Sequence, residues 1–182
     1  MGPLEILFLT IFIIFILISL ARGYLRELGV TTMIFVALFL ITEFGVPYLP
    51  QLLERVYDFF NVTLTTRAEQ HWIAITFSLL LILVVFASYA GLNTFAFRGV
   101  PQKGFAGFVI GVLVGALNGY LFGGTLWWLQ DITYYPVVDL GILLLPLTIT
   151  GETLAQYLPP YLVPPMFWAV MVMIMLILRV RR

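Results

Sequence analysis

The chain has 182 residues, 62% hydrophobic and only 10% charged, whereas an ordinary soluble domain carries about a quarter charged residues. That balance excludes a soluble fold and fits one membrane domain, 1–182, with no linker or repeated block to divide it. Nine basic and nine acidic residues cancel, and the lack of cysteine removes disulfides and thiolate metal sites.

The first apolar run, Leu4 to Ala21, approaches the about 20 residues that cross a bilayer core. Glu5 stands near its start and Arg22 follows it. With no basic leader and no small-residue cleavage site, it is expected to be retained. The turn Arg22-Gly23-Tyr24-Leu25-Arg26-Glu27 comes next and is the most distinctive short segment. Glycine permits the bend, and the arginines fix orientation and meet lipid phosphates. Glu27 lies near the amino end of the second span, where the helix dipole favours an anion. Topology alone explains this turn; a functional contact on its face is the alternative.

The second span is Leu28 to Val46. Beyond it, Pro47 to His71 carries Leu49, Leu52, Leu53, Val56, Tyr57 and Phe60 at helical spacing, with Glu54, Arg55 and Asp58 between them. This predicts a short outer amphipathic helix that lies on the leaflet or caps the bundle. The third span is Trp72 to Ala90, and the fourth is Phe105 to Leu129. Within the fourth, Gly107, Gly111, Gly115, Gly119 and Gly123 recur every four residues, a glycine zipper that lets another helix approach closely. Asn118 sits midway along it and is read as interhelical hydrogen-bonding glue. The stripe packs within the chain, against a membrane-protein partner, or in self-association into an oligomer or pore.

A proline-rich stretch, Gln130 to Pro164, holds an apolar segment at about 138–150 that is too short to span and reads as interfacial or re-entrant. Asp139 and Glu152 flank its apolar middle, Leu140 to Leu147, as solvated acids. The last run, Pro165 to Val180, is only marginally long enough to cross. The expected fold is therefore an all-α integral membrane bundle of four to five transmembrane helices with one short outer amphipathic helix.

Basic residues close to a span stay cytoplasmic. With five spans and the amino terminus outside, Arg22, Arg26, Arg98, Lys103, Arg179, Arg181 and Arg182 fall inside, and every acid except Glu27 faces out. Trp72, Trp127, Trp128 and Trp168 then share the outer boundary, where indoles prefer to sit. No carboxylate pair, nucleophile triad, phosphate loop or metal-ligand spacing emerges, so no catalytic, cofactor or metal residue is assigned. His71, near Glu69, reads as a boundary residue. The deep positions are apolar save Asn118, Asn93, Ser88, Thr76 and Ser78. The basic residues form no continuous patch for nucleic acid; membrane lipids are the expected surroundings.

The motif Arg22-Gly23-Tyr24-Leu25-Arg26-Glu27 closing a first span, with Gly111-Val112-Leu113-Val114-Gly115-Ala116-Leu117-Asn118-Gly119 in a fourth, resembles the bacterial colicin V production protein (CvpA) family over about residues 1–129. The resemblance implies a non-enzymatic inner-membrane protein tied to toxin production (toxin biosynthesis) or envelope homeostasis, acting as a scaffold or export-associated component. A subunit of a larger, energy-transducing membrane complex and a small channel or transporter are the alternatives.

Overall fold

The structure, a computed structural model, describes residues 3–90, 97, 99–139, 141 and 148–180. Asn93, Arg98, Arg181, Arg182 and most of the apolar segment at 138–150 lie outside the described residues. Among the described residues every regular element is helical: α1 (Pro3–Arg22), α2 (Tyr24–Phe39), α3 (Val46–Phe59), α4 (Thr66–Ala90), α5 (Gly104–Ile132), α6 (Ile149–Ala155), α7 (Pro159–Leu162) and α8 (Pro165–Val180). Four stretches are long and apolar enough to cross a membrane, namely Leu4–Arg22, Tyr24–Phe59, Thr66–Ala90 and Gly104–Ile132. At 16 residues α8 falls short of that length.

α5 is the axis of the bundle. It packs along α1, against α2 and α4, and near its far end against α7, while α8 lies on α2. Side-chain hydroxyls settle into the apolar helices by bonding the carbonyl one turn back, as Thr32 does to Leu28, Ser88 to Val84 and Thr125 to Leu121. Inside the bundle this is the cheapest way to satisfy a hydroxyl.

Two boundaries differ from the sequence reading. The outer amphipathic helix is not a separate piece: α2 runs into α3 through a π-helical turn, Leu40–Gly45, giving one helical stretch of 36 residues. At about 1.5 Å per residue it spans about 54 Å, well beyond a core of about 30 Å. No residue of α3 is buried, so the amphipathic part lies at the margin of the bundle. The helix that holds the third expected span starts earlier than Trp72. Thr65 Oγ1 accepts from the Ala68 amide at 3.2 Å and caps the first turn, so α4 begins at Thr66 and takes Arg67, Glu69 and His71 into the helix.

Polar and charged side chains gather at the two ends of the bundle. Arg22, Tyr24 and Lys103 gather at one end, where Gln102 N donates to the Tyr24 hydroxyl at 3.0 Å and Phe97 N to the Leu25 carbonyl at 3.1 Å. Glu5, Arg67, Asp131, Asp139 and Glu152 lie at the other. There Trp72 donates to the Tyr57 hydroxyl at 3.1 Å, Trp127 to the Tyr135 hydroxyl at 3.2 Å, and Thr148 to the Glu5 carboxylate.

Candidate functional site

The α1–α2 connection is a single residue. Gly23 takes φ 87°, a left-handed value that favours glycine, and reverses the chain so that Arg22 at the end of α1 faces Glu27 in α2. Glu27 lies on the buried stripe of α2 together with Thr31, Ile34 and Leu38, and its side chain is 0% exposed. A carboxylate there would be costly alone, since an uncompensated buried charge loses its hydration. Three donors compensate it. Arg22 Nη1 donates to Oε1 at 3.2 Å, Tyr89 to Oε2 at 2.9 Å, and Asn118 Nδ2 to Oε2 at 3.3 Å. The Arg22 guanidinium also lies 4.6 Å from the centre of the Tyr89 ring, closing the cluster on its outer side.

Asn118 completes the joint. Its Nδ2 also donates to the Glu27 carbonyl at 3.2 Å, and its Oδ1 accepts from Thr31 at 2.6 Å. One amide thus holds α5 to both the main chain and side chains of α2, while Tyr89 brings in α4 and Arg22 brings in α1. Glu27 therefore does more than answer a helix dipole: its carboxylate bonds side chains from three helices besides its own. Arg22, for its part, turns inward to an acid. Of the turn's remaining residues, Tyr24 receives the Gln102 amide and Arg26 is exposed.

The glycine stripe meets α1. A Cβ on Gly115 would lie 2.6 Å from Ile16 Cα and 2.8 Å from the Phe15 carbonyl oxygen, and one on Gly119 would lie 2.8 Å from Phe12 Cα. These are backbone contacts, so only glycine permits the approach. Gly123 faces the Phe8 ring and Gly111 the tip of Leu20, whereas the nearest atom to Gly107 is the Gln102 carbonyl oxygen just ahead of α5. Ser19 donates to the Gly111 carbonyl at 2.7 Å, adding a hydrogen bond across the same seam. The face carrying Gly111 to Gly123 is filled by α1 of the same chain.

At the opposite end Asp139 gathers two basic side chains from α4. Arg67 pairs with it at 2.8 Å and His71 at 2.9 Å, while His71 Nδ1 lies 2.7 Å from the Arg67 carbonyl. The Arg67 hydrogen bond, with help from His71, holds the Asp139 carboxyl below its usual range. His71 thus partners Asp139 and not Glu69. Residues two apart on a helix point in different directions, whereas Arg67 and His71, four apart, share a face. Nearby, Asp131 accepts from Tyr135 at 2.6 Å and from Tyr161 at 2.7 Å. Burial first, and then the bond to Asp131, push both phenols above their ordinary value.

Sequence reasoning singled out Asn118 and the Arg22 to Glu27 turn separately and missed Tyr89 altogether. The signal that joins them was present: Glu27, Thr31, Ile34 and Leu38 recur at four, three and four residues, the spacing of one helix face. No protein-family model matches the chain, and neither the curated proteins nor the solved structures give a match.

Proposed function

We propose that the chain is a non-enzymatic, multi-pass protein of the bacterial inner membrane, of the colicin V production (CvpA) type. It serves as a scaffold or export-associated component, with its amino terminus outside and its carboxyl terminus in the cytoplasm. The observation that carries this reading is how the interior polar groups are used. Arg22, Glu27, Thr31, Tyr89 and Asn118 satisfy one another, so their hydrogen bonding goes into joining helices. The two segments that support the family resemblance also touch, through the bond that Asn118 donates to the Glu27 carbonyl, as parts of one structural unit would. Arg26, the exposed residue of the turn, is then the one left to meet lipid headgroups or a partner.

A cysteine-free chain makes the placement directly testable. In intact cells an impermeant thiol reagent is expected to label Glu54→Cys on α3, and Arg26→Cys only after the inner membrane is opened. The reverse pattern would reject the orientation.

One observation favours a second reading, an accessory subunit of a larger membrane assembly. Leu52, Phe59 and Phe60 on and just after α3 are 58%, 80% and 67% exposed, a large apolar surface at the outer end. Mass measurement after mild-detergent purification at native abundance separates the two. A stoichiometric larger complex supports the subunit, and a chain free of fixed partners supports the scaffold.

A further inference from the structure

α1 and α5 run antiparallel, Gly115 against Ile16, Gly119 against Phe12 and Gly123 against Phe8, and toward the Gly123 end of their seam the bundle holds a cavity of about 210 Å³. Leu4, Leu7 and Ile11 line it on α1, and Leu126 and Gln130 on α5. Leu4 stands in the first turn of α1 and Gln130 in the last turn of α5, so the cavity reaches the end of the bundle. Val137, from the single 3₁₀ turn Pro136–Val138 that follows α5, lines it as well.

The backbone that leads into this turn is strained. Tyr134 and Tyr135 take φ 56° and 54°, left-handed values that a side chain disfavours, and here two occur in succession. Such a conformation persists only where surrounding contacts hold it.

The contacts on the two sides of Val137 differ in kind. Before it, Tyr135 is 7% exposed, accepts from Trp127 and donates to Asp131, so that fastening is buried. After it, Asp139 meets Arg67 at 2.8 Å and His71 at 2.9 Å, and the Asp139 and Arg67 side chains are 45% and 39% exposed. Arg67 also donates to the Tyr134 carbonyl at 3.3 Å, which ties the strained turn to the same helix. Between the two fastenings the Val137 amide reaches Gln130 Oε1 by a long bond of 3.4 Å. Ion pairs that water reaches are weak, so the Asp139 end is the one that lets go first.

We propose that residues 134–139 form a strap across the end of this cavity, anchored through Tyr135 and latched to α4 through Asp139, and that release of the latch admits molecules from the aqueous phase. The strap goes beyond the scaffold reading and requires neither orientation of the chain in the membrane.

The test uses the full chain in nanodiscs, where both faces are open to a charged methanethiosulfonate reagent at neutral pH, and single cysteines in a chain that otherwise has none. Leu126→Cys reports the cavity, Glu54→Cys an exposed site, and Leu81→Cys the core of α4, where Leu81 is 0% exposed. Leu126→Cys is expected to react far more slowly than Glu54→Cys. Adding Asp139→Asn should speed it about fivefold, the upper range for an exposed ion pair, and Asp139→Glu, which keeps the charge, should keep the slow rate. Four outcomes would overturn the proposal: Leu126→Cys as reactive as Glu54→Cys with the latch intact, no acceleration by Asp139→Asn, equal acceleration by Asp139→Glu, or Leu81→Cys becoming reactive alongside Leu126→Cys, the mark of a bundle that loosens as a whole.

Discussion

Glu27 is fully buried, yet each of its oxygens faces a donor. Its removal should therefore hurt more than the removal of any one donor. Glu27→Leu leaves Arg22, Tyr89 and Asn118 without their acceptor and is expected to cost about 3 kcal/mol, the lower range for breaking a buried charged pair. Tyr89→Phe deletes one bond and should cost about 1 kcal/mol. Denaturant or thermal unfolding in detergent would check the order, and equal costs would mean that the cluster is not centred on the carboxylate. Asp139 gives a pH prediction at the other end. Its carboxyl titrates lower in the folded chain than in the unfolded one, chiefly through Arg67, so the Arg67 contact contributes fully above the usual carboxylate range. It is lost as pH falls through the depressed value. Hydrogen exchange around Thr133 to Asp139 should accelerate over that acidic window and show no such step in Asp139→Asn. At this scale the sequence revealed which polar residues were unusual, Asn118 and the Arg22 to Glu27 turn, but not their partners. Tyr89 is 62 residues from Glu27, and Asp139 is 72 from Arg67, separations that no local pattern encodes.

Among the helices, the seam between α1 and α5 is where single substitutions discriminate best. Gly115→Ala places a methyl 2.6 Å from the Ile16 backbone, which can yield only if the helices part, whereas Gly111→Ala meets the movable tip of Leu20 at 3.1 Å. Gly115→Ala is expected to lower stability by about 1 to 3 kcal/mol, the range for overpacking, while Gly111→Ala stays within about 0.5 kcal/mol. Melting followed by size-exclusion fluorescence would rank them, and similar losses at both would contradict a backbone-tight seam centred on Gly115. The existence of these elements was legible because long apolar runs and a four-residue glycine period are strong signals. Their ends were less so. Hydropathy marked α4 from its first indole, but a hydroxyl cap at Thr65 starts it six residues sooner. The second span reads from sequence as ending at Val46, yet the π-helical turn Leu40–Gly45 carries α2 into α3 without interruption.

For the whole molecule, the bundle is closed around its two distinctive motifs: the glycine seam holds α1 to α5, and the Glu27 cluster ties both to α2 and α4. The all-helical architecture could be read from composition and run length, whereas this closure depends on which helix fills the stripe, and a repeat of glycines is equally suited to a neighbour in the same chain or in another. Cross-linking decides between them. The chain has no cysteine, and a Cβ on Gly115 would lie 2.8 Å from Ser19 Cβ, close enough for a bridge after slight separation of the helices. Ser19→Cys combined with Gly115→Cys, oxidised in native membranes, is expected to give a disulfide within single chains that migrate as monomers. Co-expressed single variants should then remain unlinked. Disulfide-linked dimers formed between Ser19→Cys chains and Gly115→Cys chains would contradict the closed bundle and make the glycine stripe an interface between copies.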